Sequence, residues 1–143
     1  MVAFHEPMFG AMEKSLSYAP RILVVDDEPG VQLFFEQVLS SAGYYVTLVR
    51  TSRQALAQVR SREFDVAVVD LSLPDEDGFD VIRQMRSASR ELKILAISGF
   101  MVGDVPREAL AAGATDTLLK PTLPETLLQA VYQLIERGTW AGE

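Results

Sequence analysis

Three short runs constrain the fold more than anything else in the chain. "ILVV" (22–25), "VAVV" (66–69) and "ILAI" (94–97) are wholly apolar, and each is followed by a polar residue and a turn. Such runs suit central parallel strands covered on both faces rather than strands with one wet face. Two flanking runs, "YYVTLV" (44–49) and "TDTLL" (115–119), carry more polar atoms and suit sheet edges. Strands are therefore expected at 21–25, 44–49, 66–69, 93–97 and 115–119.

Helical spacing fills the gaps between the runs. A first helix is expected over 31–41, with Phe34, Phe35, Val38 and Leu39 on one face and Gly43 past its end. The second opens on Thr51 with Gln54 three residues on, a capping-box spacing. The third follows Gly78 and places Val81, Ile82 and Met85 together. The fourth spans 105–112 and stops at Gly113. The fifth opens on "TLPE", with Thr122 as cap, Pro124 in the first turn and Glu125 closing the box, and runs to Gly138. Strict alternation of strand and helix implies a parallel sheet with helices on both faces, connected right-handedly.

Composition excludes several classes of function. The chain has 143 residues, the size of one ordinary domain. It has no cysteine, which rules out disulfides and thiolate metal sites. The net charge of -7 disfavours free nucleic acid as a partner, because phosphate binding needs clustered Lys and Arg. No apolar run approaches the roughly 20 residues that span a bilayer. The opening "MVAFHEPMFGAMEKSLSYAP" lacks a basic start and is interrupted by His5, Glu6 and Pro7, unlike a secretory leader. A cytoplasmic protein is the expectation. Residues 1–19 show no clear period and are expected to be a mobile extension; 20–137 form the domain and 138–143 a tail.

In doubly wound sheets, ligands bind beyond the carboxyl ends of the strands. The first strand ends on Asp26 and Asp27, the third on Asp70, the fourth on Ser98 and the fifth on Lys120. The second contributes nothing comparable. Taken singly these are ordinary turn aspartates, a loop hydroxyl and a solvated lysine. Together they put three carboxylates in one cleft, where like charges repel and must be neutralised. A hard divalent cation with oxygen ligands does that, and Mg2+ keeps positions open for a phosphoryl group. Asp70 then reads as a nucleophile able to form an acyl phosphate. Lys120 and the metal would stabilise the transferring oxygens, and Ser98 could donate to the new phosphoryl group.

The motifs "ILVVDDEP" (22–29), "VVDLSLPDEDG" (68–78), "ILAISG" (94–99) and "LLKP" (118–121), in this order and spacing, resemble the receiver domains of bacterial two-component response regulators. The resemblance covers about 19–137. It implies a flavodoxin-like, five-stranded parallel sheet in the order 2-1-3-4-5 with five helices. By the same resemblance, Asp26 and Asp27 are the metal-binding acidic pair, Asp70 the phosphoacceptor, and the Ser72 backbone carbonyl a further metal ligand. Ser98 takes the switch hydroxyl position, and Lys120, ahead of a cis bond to Pro121, contacts the phosphoryl group. Mg2+ is the implied cofactor, with Mn2+ able to replace it. A histidine kinase or histidine phosphotransfer protein is the implied donor and a protein target the implied output. The resemblance also implies no turnover of an external substrate.

One position departs from the family pattern. Three residues before the lysine the family usually has Tyr or Phe; here it is Thr117. Phe100, two past Ser98, packs in its loop or takes the aromatic's role. Only "GTWAGE" follows the fifth helix, so direct DNA binding by an output domain is not expected, and Trp140 reads as a frayed terminal aromatic.

Rival readings fit less well. A haloacid-dehalogenase-like small-molecule phosphatase also uses an aspartyl phosphate and Mg2+, but places Asp-x-Asp after the first strand, where this chain has Asp26-Asp27-Glu28. An FMN binder lacks its Ser/Thr-rich loop. An EF-hand at "LPDEDG" would need Asp at Leu73 and Glu at Gln84. His5 stands alone and suggests neither phosphohistidine nor a metal.

Overall fold

The fold is seen in a computed structural model that describes residues 19–74, 76–99, 103–120 and 122–137. The expectations for the 1–19 extension up to residue 18, for Phe100, Pro121 and Gly138, and for the tail with Trp140 lie outside the described residues.

Five parallel strands form one sheet: β1 (Arg21–Val25), β2 (Tyr45–Val49), β3 (Val66–Asp70), β4 (Lys93–Ser98) and β5 (Asp116–Leu119), in the order β2-β1-β3-β4-β5. The two polar runs are the edges, as their composition predicts. The helices are α1 (Pro29–Ser41), α2 (Ser52–Ser61), α3 (Gly78–Ala88), α4 (Val105–Ala112) and α5 (Pro124–Glu136). Period-two alternation divides each central strand between two cores. Ile22, Val24, Val66, Val68, Leu95 and Ile97 pack under α1 and α5, against Phe35, Leu39, Leu127, Val131 and Leu134. Leu23, Val25, Ala67, Val69, Ile94 and Ala96 pack under α2, α3 and α4, against Leu56, Val81, Ile82 and Met85. Burying both faces of one sheet is what made these strands continuous apolar runs rather than alternating ones.

Element ends differ from expectation where local chemistry intervenes. Helix α1 begins at Pro29, two residues early, because a proline in the first turn loses no intrahelical hydrogen bond and arrives with helical φ. Thr122 is not the cap of α5. Leu123 occupies that position at φ -75°, ψ 149°, with no side-chain cap, because the residue before a proline is driven out of the helical region. The Thr122 hydroxyl instead reaches the Leu119 carbonyl at 3.5 Å, and Glu125 remains as an acidic group in the first turn. At α2 the box is displaced by one residue. Thr51 Oγ1 accepts the Gln54 N–H at 3.1 Å, while Gln54 Oε1 accepts the N–H of Arg50 rather than that of Thr51.

Two contacts fix the ends of α3. Gly78 opens the helix against the backbone of Leu71; a Cβ there would sit 2.6 Å from the Leu71 carbonyl oxygen, so no larger residue fits without moving the loop after Asp70. At the other end, the Arg86 guanidinium donates to the carbonyls of Ser89, Arg90, Leu92 and Gly113, at 2.5–3.2 Å. Burial pushes its pKa below the usual arginine value.

Candidate functional site: an acidic cleft at the strand ends

The sheet brings its carboxyl ends to one edge, and the chemistry-bearing residues lie there. Asp70 and Ser98 are the last residues of β3 and β4, not the first residues of loops. Asp70 pairs in register with Ile97 and is 5% exposed; Ser98 is buried as well. Asp26 follows β1 immediately, with its N–H on the Val49 carbonyl at 3.1 Å, and is 1% exposed.

One carboxylate oxygen from each of Asp26, Asp27 and Asp70 lies within 4.8 Å of the other two. Lys120 Nζ reaches into the cleft, 3.0 Å from Asp70 Oδ2 and 4.0 Å from Asp26 Oδ2. Its own N–H is fixed to the Ser98 carbonyl at 2.8 Å, which ties the β5 end to the β4 end. Asp70 Oδ1 accepts the Ser72 N–H at 2.8 Å, so the two residues after β3 wrap round the carboxylate. Asp26 Oδ1 accepts the Glu28 N–H at 2.9 Å.

Burial pushes the Asp26 carboxyl up from 3.8 to about 6. The Glu28 N–H opposes that rise, the Asp70 charge adds to it, and Lys120 offsets part of it. The buried Asp26 Oδ2 has no hydrogen-bond partner among the described residues. A buried carboxylate oxygen facing two further carboxylates, with no donor on it, suits a cation in the cleft.

The structure brings Asp26, Asp27, Asp70, Ser98 and Lys120, each expected at a strand end, to one edge of the sheet. The second strand, expected to contribute nothing comparable, places a residue there too. Arg50 directly follows β2 and donates from Nη2 to the Asp27 carbonyl at 3.2 Å. Gln32, on α1, donates its side-chain amide to the Val49 carbonyl at 2.9 Å. Arg50 is marked in the sequence as the residue directly after the second apolar run; nothing in the sequence marks Gln32.

Residues 22–132 match the family described as the response regulator receiver domain. The alginate biosynthesis transcriptional regulatory protein AlgB of Pseudomonas aeruginosa is 33% identical over 125 residues, which is 87% of this chain but 28% of that protein. This chain therefore spans under a third of the length of that relative. Among solved structures, a CheY-like receiver domain protein of Methanospirillum hungatei superposes with a TM-score of 0.80 at 27% identity, covering 84% of this chain and 96% of that one. The receiver domain of the sensor histidine kinase PA1611 of Pseudomonas aeruginosa, described with a magnesium ion coordinated in its active-site cleft, superposes at 0.75 with 33% identity, covering 83% and 99%. Nothing in these likenesses favours the phosphatase reading. With its sheet order, its acidic cleft and a family match over most of its length, the chain belongs to the receiver domains of two-component response regulators.

Proposed function

We propose that Asp70 is the phosphoacceptor of this receiver, loaded by a histidine kinase or a histidine phosphotransfer protein. The observation that carries this is the pairing of the buried Asp70 with Lys120 at 3.0 Å, in a cleft shared with Asp26 and Asp27. An Asp70 oxygen attacks the phosphorus of the donor phosphohistidine and the P–N bond breaks; its electron pair goes to that ring nitrogen, and the group leaves as a neutral imidazole because the other ring nitrogen already carries a proton. Lys120 moves its contact from Asp70 to an oxygen of the arriving group, where negative charge spreads. Ser98, at the end of the neighbouring strand, donates its hydroxyl to the acyl phosphate. Asp26, Asp27 and Asp70, with the Ser72 carbonyl, would hold Mg2+, or Mn2+ in its place. The cation, when bound, supplies charge neutralisation of the three carboxylates and of the transferring oxygens.

The output is a conformational change read by a protein target, and the domain does not turn over an external substrate. Residues 20–137 are the functional unit. No helix among the described residues is long and apolar enough to cross a membrane, and a cytoplasmic site of action fits a phosphohistidine donor.

Incubation of the protein with Mg2+ and acetyl phosphate, followed by intact mass measurement, tests the reading. The expected result is a single added phosphoryl group, retained briefly and absent without divalent cation. Sustained release of inorganic phosphate from a panel of phosphate esters, with no adduct, would overturn it in favour of a phosphatase.

A further inference from the structure

Charge is unevenly distributed on this acidic chain. Residues 50–62 carry four arginines and no acidic side chain. They span α2 and its flanks, and all four arginines are exposed. In the opposite layer, residues 28–41 and 123–137 carry four glutamates against the single Arg137. Arg50 is engaged on the Asp27 carbonyl. Arg53, Arg60 and Arg62 form no ion pair among the described residues.

The cationic helix borders a groove. Arg60 of α2 and Arg83 of α3, the latter already paired with Asp80 on its own helix, line a cavity of about 530 Å³, together with Gln84 and Ser87. That cavity shares the walls Val59 and Ala88 with a second, of about 680 Å³, which runs on towards the start of β4. Arg62, Arg90 and Lys93 line the second, over an apolar floor that includes Phe64 and Leu92. Glu63, Asp65 and Glu91 are interspersed among them. The two cavities lie at the far end of the sheet from the acidic cleft and share no residue with it.

We propose that this groove between α2 and α3 docks an acidic segment of a partner protein. Guanidinium groups recognise carboxylates through paired, planar hydrogen bonds, and arginine is the preferred cation at protein interfaces. The interspersed acids select between classes of polyanion. A nucleic-acid backbone presents charge at every step and would meet Glu63, Asp65 and Glu91 unfavourably. A polypeptide can set a carboxylate against each arginine and a neutral or basic residue against each acid. A lipid surface is disfavoured by shape and composition: the groove is concave, and none of the exposed large apolar residues of the described chain lies in it. The apolar floor adds a place for a leucine or similar side chain between the acidic positions.

The test is a titration of the ¹⁵N-labelled full chain with a peptide of glutamates spaced by leucine and alanine. Its glutamine analogue, a single-stranded oligonucleotide and phosphatidylglycerol vesicles are run in parallel. The expected result is amide shifts confined to residues 59–65 and 83–93, weakening with added salt and absent with the glutamine peptide. Arg60→Glu with Arg62→Glu should weaken binding at least about tenfold, by like-charge repulsion, while Arg107→Glu on α4 leaves it as in wild type. The neutral pair Arg60→Gln with Arg62→Gln gives the same reading where charge reversal disturbs the fold. Shifts elsewhere on the surface, undiminished binding by both double variants, equal binding of the glutamine peptide, or tighter binding to oligonucleotide or vesicles would each overturn the proposal.

Discussion

Lys120 Nζ stands 3.0 Å from Asp70 Oδ2 and 4.0 Å from Asp26 Oδ2, so one ammonium serves two buried carboxylates. With Asp27 beside them the cleft keeps an excess of negative charge. Its behaviour under substitution, pH and added cation follows from that imbalance.

Asp70→Asn should abolish the acyl phosphate and leave the fold intact. The amide keeps the shape and can still accept the Ser72 N–H, but it is no anionic nucleophile. It also removes one of the repelling charges, so the melting temperature without metal should equal or exceed that of wild type. Intact mass after acetyl phosphate treatment and a thermal melt in EDTA check the two parts separately. A stoichiometric adduct on the Asn variant would move the acceptor to another residue.

Mg2+ should raise the melting temperature of wild type by mass action, and Asp27→Ala should remove most of the rise. At a concentration about 100 times Kd the stabilisation is about 2.7 kcal/mol, or on the order of 10 °C for a domain of this size. Melts across a Mg2+ series decide it. Equal responses of the two proteins would place the cation elsewhere.

Asp26 makes metal-free stability depend on pH in a definite sense. Its carboxyl is raised from 3.8 to about 6 in the folded state, so folding favours the protonated form. The stability this gives is fully present below 3.8 and is lost as pH rises through about 6. Asp26→Asn resembles the protonated state at every pH. In EDTA its advantage over wild type should therefore widen between pH 4 and pH 7, towards about 3 kcal/mol. A gap that stays constant or narrows over that range would remove Asp26 as its source.

Arg86→Met should destabilise by about 3 kcal/mol, because it strands several partly buried carbonyls at once. Arg86→Lys should recover only part of that, since an ammonium cannot span the same set as a planar fork. Urea unfolding with an unchanged slope is the measurement; a loss within about 0.5 kcal/mol for Met would mean that water replaces the guanidinium.

Thr117 stands where receivers usually have an aromatic ring, and its N–H is bonded to Asp116 Oδ1 at 2.8 Å. Activation should therefore pass through the segment after Ser98 and α4 rather than through a ring at β5. Beryllofluoride on Asp70 should alter amide protection across 98–112, and Thr117→Ala should leave that response largely unchanged. Changes confined to Thr117 and α5, or their loss in Thr117→Ala, would reject this route.

Much of the site was legible because each chemical group sits at a strand end, and strand ends are where an apolar run stops. "VAVV" followed by Asp70, and "ILAI" followed by Ser98, announce themselves. What stayed hidden depends on distance between elements. Lys120 is itself at a strand end, but its N–H on the Ser98 carbonyl and its reach to Asp70 emerge only once β5 is set beside β4. Gln32 and Arg86 are polar residues on amphipathic helices, and only the packed neighbours reveal that their side chains bind carbonyls. The cap of α5 was misread because Thr122 fits the capping pattern while Pro124 dictates the conformation of the residue between them.

The Arg86 clamp has a consequence for how the molecule answers to ionic strength. It joins a cation to neutral carbonyls from the loop after α3 and from Gly113, so there is no partner anion for dissolved ions to screen, and its hold on the scaffold should be nearly indifferent to salt. The carboxylates around Lys120 at the other edge interact charge to charge, and dissolved cations act on them directly. A change in the ionic medium would thus retune the signalling edge of the sheet while the frame that carries it stays put.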